Sequence, residues 1–194
     1  MAGRPKDPTI NKKIYTEIQR LLETTHFRDI TIDQISENTG ISKATIYRRW
    51  KDKSSIIMSA FIEQSQYIVI HNQDNLYDDL FQFLVKIKDI YKTKLGSAVI
   101  EILISHQQME ARETFMTNYF NHNRKVLKEI VRKHIQEEEQ DLFIDLIFSP
   151  IYFNILIKPE TLDKNYIKNI LRLAMKKSMT IDFFIAIFYS YREK

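Results

Sequence analysis

The chain has 194 residues, 44% hydrophobic and 28% charged, which suits a small unit plus one larger domain. It has no cysteine, which excludes a disulfide framework and thiolate chemistry. The formal charge is +4, and residues 1–53 hold all of the excess, with 11 basic and 7 acidic residues against 18 of each in 54–194; a phosphate-directed field requires that placement.

The chain opens with a short basic arm, residues 1–7, that carries Arg4 and Lys6. Gly3-Arg4-Pro5 has the form of a minor-groove hook, and an arm ahead of a helix-turn-helix can enter that groove; incidental charge on an unstructured start fits the residues equally well. Asp7 can cap a first helix with Pro8 at its first position. Ile10, Ile14, Ile18, Leu21 and Leu22 form its apolar stripe.

Two short helices follow. Thr31 caps the first, and Gln34 stands where a capping box needs it. Ile30 and Ile35 have the spacing of a hydrophobic staple, and Gly40 can take the left-handed conformation that ends a helix. The second helix repeats the pattern: Ser42 caps it and Ile41 can staple to Ile46. Ile46 and Trp50 share an inward face, with Thr45, Arg48 and Arg49 opposite and Lys43 and Ala44 at the helix start. This is a helix-turn-helix whose second helix can read DNA. Lys and Arg can bond guanine, and the methyls of Ala and Thr can touch thymine. Tyr47, Arg49 and Lys53 are placed for phosphates.

Residues 8–60 resemble the DNA-binding domain of the TetR family of bacterial transcriptional regulators. The match runs through Thr31-Ile32-Asp33-Gln34-Ile35 and Gly40-Ile41-Ser42-Lys43-Ala44-Thr45-Ile46-Tyr47, then Trp50 and Asp52-Lys53. The resemblance implies phosphate contacts at Thr31, Tyr47, Arg49 and Lys53, and base contacts at Lys43, Ala44 and Thr45. Two positions depart from the family pattern. His26 stands where a glycine is frequent, so that turn is expected to be strained or differently capped. Lys51 stands where a proline is frequent, and adds charge near the DNA. Residues 61–194 resemble the family only in size, helical pattern and the Pro150-Ile151-Tyr152 stretch.

The remainder reads as helices over about 53–72, 76–94, 97–109, 111–137, 140–157 and 163–178, because glycine and proline are scarce and alternating patterns rare. Leu76, Leu80, Phe83, Leu84, Ile87 and Tyr91 make one stripe; Phe115, Tyr119, Val126, Ile130 and Ile135 make a looser one. Pro150 should kink its helix. Glu137-Glu138-Glu139 reads as a solvated run between helices. The expected architecture is all-α: an N-terminal three-helix helix-turn-helix domain, residues 1–53, and a helical effector-binding and dimerisation domain, residues 54–194.

For that larger domain the resemblance implies dimerisation through its last two long helices and a small-molecule cavity between the middle ones. Phe148, Ile151, Tyr152 and Ile155 suit the dimer face, joined by Leu171, Met175 and Met179 as flexible gap-fillers. Ile87, Ile104, Met109, Tyr119 and Phe120 are candidate cavity walls, and plain core explains each equally well. Such walls suit an apolar or cationic lipophilic effector. The reading is therefore a homodimeric repressor on an inverted-repeat operator in double-stranded DNA, released by an effector. A regulator whose larger domain takes a protein partner remains open.

No phosphate loop or nucleophile elbow can form from three scattered glycines, and the five histidines make no HExxH or close ligand pair, so no enzyme, metal or cofactor is expected. No signal peptide is legible at the start. The apolar run 181–189 is too short to cross a bilayer as a helix, so the expectation is a cytoplasmic protein with no membrane partner.

Overall fold

The computed structural model describes residues 7–65, 75–105 and 108–176. Helix α1 is Pro8–Thr24; the Asp7 carboxylate accepts the Thr9 N–H at 2.9 Å, with Pro8 at the first helical position. A 3₁₀ turn, Phe27–Asp29, leads to α2, Ile32–Thr39, and α3, Lys43–Tyr47. Then come α4 (Lys53–Ser65), α5 (Leu76–Tyr91), α6 (Lys94–Ile104) and α7 (Met109–Phe115). A π-helical turn, Met116–Phe120, joins α7 to α8, Asn121–Val131. Helix α9 is Glu137–Ile157, a 3₁₀ turn covers Pro159–Thr161, and residues 164–176 form α10. Among the described residues there is no strand, as the sequence pattern requires.

Two compact units result. The first joins residues 1–67 with 90–122, the second 68–89 with 123–194. The helix-turn-helix therefore shares a packed unit with α4, α6 and α7. The step at residue 53 marks the start of a connecting helix and not a gap in packing.

In the first unit α1 packs on α2, α4 and α6, and α4 packs on α6 and α7. Eight of the thirteen α4 residues are buried, including Ile56, Ile57, Met58, Ala60 and Phe61, so this helix is covered on nearly all sides. Phe61 meets Tyr91, Phe115 and Tyr119 at ring-centroid distances of 5.4, 6.5 and 5.0 Å, an aromatic cluster on the helix that begins at the DNA-binding segment. Gly96 is a close-approach glycine: a methyl there would press on the backbone of Ile90 and Tyr91, 2.6 Å from the Tyr91 Cα.

The second unit is built on Leu80, Phe83, Leu84 and Ile87 of α5, Leu127 and Val131 of α8, the inner face of α9, and Ile167 and Leu171 of α10. Phe83 and Phe148 lie 6.1 Å apart. Asn154 is buried and satisfied; its amide donates to the Pro150 carbonyl at 2.9 Å and the Tyr166 hydroxyl at 2.6 Å, while its oxygen accepts from Thr161. Arg124 bonds Asp141 and Asp145, joining α8 to α9.

Several element boundaries differ from expectation: α5 ends at Tyr91 and α6 runs over Lys94–Ile104, not 97–109. The helix expected over 111–137 is interrupted by the π turn and stops at Val131. Along it Ala111, Phe115, Tyr119, Asn123, Leu127 and Val131 are all buried, a strict interval of four. In a pure α-helix that interval drifts by about 40° per step, and one extra residue in the π turn takes back roughly 100°. This is why the stripe reads loosely in the sequence. Glu137-Glu138-Glu139 are not between helices; they form the first turn of α9, where carboxylates complement the positive end of the helix dipole. By length and composition α9 could cross a membrane, yet its buried face includes Phe143, Ile144, Ile147, Phe148, Ile151 and Ile155, as expected of a core helix.

That burial also corrects the dimer-face assignment. Phe148, Ile151, Ile155 and Leu171 are buried interior residues of the second unit. Tyr152 is half-buried with its ring 4.9 Å from Phe148, and Met175 is half-buried. Met179 lies outside the described residues. The opposite face of α9 is apolar too: Leu142, Leu146, Phe153, Leu156 and Ile157 are 64, 53, 54, 39 and 61% exposed, and Leu173 of α10 is also exposed. At 100° per residue the five α9 positions fall on one side.

Two of the cavity-wall candidates lie at the surface. Ile104, the last residue of α6, and Met109, the first of α7, are 55 and 79% exposed. Ile87 and Tyr119 are buried and Phe120 half-buried.

Candidate nucleic-acid interface

The sequence-level grammar of the helix-turn-helix is realised atom by atom. The Thr31 hydroxyl accepts the Gln34 N–H at 3.2 Å, and the Gln34 side chain accepts the Thr31 N–H at 2.8 Å, completing the capping box. Gly40 has φ +68°, the only left-handed glycine among the described residues. Ser42 accepts the Thr45 N–H at 3.3 Å and donates to its hydroxyl at 3.0 Å. Ile30, Ile35, Ile46 and Trp50 are buried; Ile41 is half-buried. Tyr15 meets the Trp50 ring edge-on at 5.8 Å, and the indole N–H donates to Ser59 at 3.2 Å, locking the exit of α3 onto α1 and α4.

With that face turned inward, Lys43, Ala44, Tyr47 and Arg48 stand exposed together. Their spacings of three and four place them on one side of the short helix. Thr31 and Ser42 are exposed at the two caps, and Thr45 is half-buried. Arg4 and Lys6 lie outside the described residues.

Lys43, Arg49 and Lys53 are already engaged. Lys43 pairs with Asp33 at 2.7 Å, both side chains more than half exposed, and that bond raises the lysine above its usual range. Arg49 does not join the open face. Its guanidinium donates to the Asn11 side chain at 2.7 Å and to the Asp7 carbonyl at 3.1 Å, against the start of α1. Lys53 turns back onto the chain before α2. Its ammonium bonds the carbonyls of Arg28 and Ile30, the latter at 2.8 Å, and lies 5.1 Å from the Phe27 ring centre. Burial pushes Lys53 down from the ordinary lysine value. An ammonium has three donors, so Lys53 holds the turn with two of them.

The two departures from the family pattern resolve locally. His26 is differently capped and unstrained: its φ is −64°, its Nδ1 accepts the Arg28 N–H at 3.3 Å, and its Nε2 faces Glu101 at 3.1 Å. Lys51 pairs with Glu110 of α7 at 2.8 Å, so its charge is shared with a carboxylate. Asp33, Asn11, Glu101 and Glu110 escaped the sequence reading. Each is an ordinary polar residue whose partner lies on another element, and only the close approach of those elements reveals it. The groove lined by Lys51, Asp52, Gln108, Met109, Glu110, Arg112, Glu113 and Met116 encloses about 980 Å³ and is open and mixed in charge.

No protein-family model matches the sequence. The chain is 28% identical over 183 residues to the HTH-type transcriptional regulator YdeS of Bacillus subtilis, across 90% of this chain and 92% of that one. Its fold is similar to the crystal structure of the TetR family transcription regulator SCO0332, with a TM-score of 0.68, 17% identity and coverage of 84% and 94%. It is also similar to the fatty acid degradation regulator FadR from Bacillus halodurans, with a TM-score of 0.60, 17% identity and coverage of 88% and 96%.

Proposed function

From the premise that the chain has the TetR-family fold and resembles HTH-type regulators in sequence, we propose that it is a sequence-specific DNA-binding transcriptional regulator. The observation that carries this reading is the face formed by Lys43, Ala44, Tyr47 and Arg48, exposed on a helix whose other side, Ile46 and Trp50, is buried. The caps hold it at the start of a recognition helix, where base edges are reached. It is not an enzyme.

One such helix makes few base contacts, so the working form is a twofold homodimer on an inverted-repeat operator in double-stranded DNA. The surface that a second copy would cover is the outer face of α9, Leu142, Leu146, Phe153, Leu156 and Ile157, with Leu173 beside it. Exposed apolar stripes of this extent mark association sites. The protein acts in the cytoplasm as a repressor, and an apolar or cationic lipophilic effector releases it. Support for that last step is the aromatic cluster on α4: Phe61 lies eight residues beyond Lys53, so a molecule that re-packs the cluster shifts the helix that begins at the DNA-binding segment. FadR, a fatty acid degradation regulator by its title, lends the same direction to the effector class.

Selection of duplexes from a random pool, followed by titration at several salt concentrations, tests the DNA reading. An enriched inverted repeat supports it; no enrichment over scrambled DNA overturns it. Thermal-shift screening followed by DNA titration tests the effector. Stabilising ligands that leave DNA affinity unchanged would favour a protein partner in its place.

A further inference from the structure

Most cations of residues 7–53 are held by the protein itself. Arg20 bonds Glu17, Arg28 faces Glu101 at 3.5 Å, Lys43 pairs with Asp33 and Lys51 with Glu110. Arg49 and Lys53 are turned onto main-chain carbonyls. Apart from Arg48 on the open face, that leaves Lys12 and Lys13 of α1, both exposed and with no ion pair among the described residues.

The two lysines share a face. Thr9, Lys12, Lys13 and Thr16 follow at helical spacings of three and four, opposite the buried Ile14, Ile18 and Leu21. With Asn38 and Thr39 at the end of α2 they line a groove of about 520 Å³. Its one carboxylate, Glu17, is already met: Arg20 donates to it from Nε at 2.9 Å and Nη2 at 2.7 Å, and the Asn38 amide at 2.7 Å. The Arg20 bonds hold Glu17 below the usual carboxylate range. What the groove offers outward is therefore positive.

Two contacts set this face beside the recognition helix. Arg49, just past α3, donates to Asn11 at 2.7 Å and to the Asp7 carbonyl at 3.1 Å, and Asn11 adjoins Lys12 in α1. The other wall of the groove, Asn38 and Thr39, leads through Gly40 to Ser42, the cap at which the exposed face of α3 begins. An ammonium is a compact point charge that takes a phosphate without demanding one geometry, so the pair suits a backbone and not a base. We propose that Lys12 and Lys13 bind the DNA backbone, supplying phosphate contacts that Arg49 and Lys53, engaged within the protein, do not. This rests on the DNA-binding reading above.

The test is titration of the full-length protein on a duplex selected from a random pool and on a scrambled one, across salt concentrations. Lys12→Ala and Lys13→Ala should each reduce the slope of log K against log salt by about one unit. At about 0.15 M salt each should weaken both duplexes alike, by roughly fivefold. Lys12→Arg and Lys13→Arg keep the charge and should keep the slope. Both positions are exposed and alanine favours helix, so the variants should melt as the wild type does. Lys125→Ala, at an exposed lysine of the second unit, controls for net charge. An unchanged slope with Lys12→Ala plus Lys13→Ala would overturn the proposal and leave the groove to a partner other than DNA. A loss matched by Lys125→Ala would overturn it too, because it would reflect net charge alone. So would a loss confined to the selected duplex, which would assign the lysines to base reading. Wild-type protein that enriches no duplex would instead remove the DNA-binding reading itself.

Discussion

Asp33→Asn should strengthen DNA binding. Asp33 holds Lys43 at 2.7 Å on the face proposed to meet DNA, and a lysine that reads a base or phosphate must first leave it. Both partners are more than half exposed, so solvent screens the pair and it is weak. Releasing Lys43 should therefore raise affinity by roughly 1.4- to 5-fold. The change costs something in the fold, because Asp33 lies in the first turn of α2 and its charge there contributes about 0.3–1 kcal/mol. The capping box of Thr31 and Gln34 is untouched, so the domain should remain folded. The assay is fluorescence-anisotropy titration of the selected duplex at low and moderate salt. Two controls belong with it: a thermal melt, and the same change in a Lys43→Ala background. The gain should vanish without Lys43. Unchanged or weaker binding by Asp33→Asn, with the domain folded, would refute the placement of Lys43 at the DNA. A gain that survives Lys43→Ala would assign it to general loss of negative charge.

Four more outcomes follow from the same geometry. Lys53→Met should lower stability by about 1–3 kcal/mol in a melt, because two carbonyls before α2 lose a charged donor; an unchanged melt with a salt slope reduced by roughly one unit would restore the phosphate role. Gly96→Ala should destabilise by about 1–3 kcal/mol, overpacking against main chain that cannot swing aside, which outweighs the roughly 0.5–1 kcal/mol of helix propensity gained. At Gly40 there is open space but a positive φ, so Ala should cost about 1–2 kcal/mol and Asn less, by thermal unfolding. Leu146→Asp or Phe153→Asp should yield folded monomers by light scattering, whereas Ile151→Asp should unfold the second unit; a persistent dimer in the first two would remove the outer face of α9 as the interface.

Local signals settled the helix-turn-helix from the sequence alone. Thr31, Gln34, Gly40 and Ser42 act on backbone groups within a few residues, so their effect is complete once the sequence is known. Ile46 and Trp50 chose the inward face by spacing, and the open face followed as its complement. Positions whose partners lie far along the chain could not be read this way. Arg49 and Lys53 look like free cations on paper, and only the approach of α1 and of the turn before α2 turned them into clamps. Helix α9 is the sharpest case. It is apolar on two opposite sides, so its periodicity is flat and cannot say which side is core. Packing in the second unit decided that, burying Phe148, Ile151 and Ile155 and leaving Leu146 and Phe153 outside.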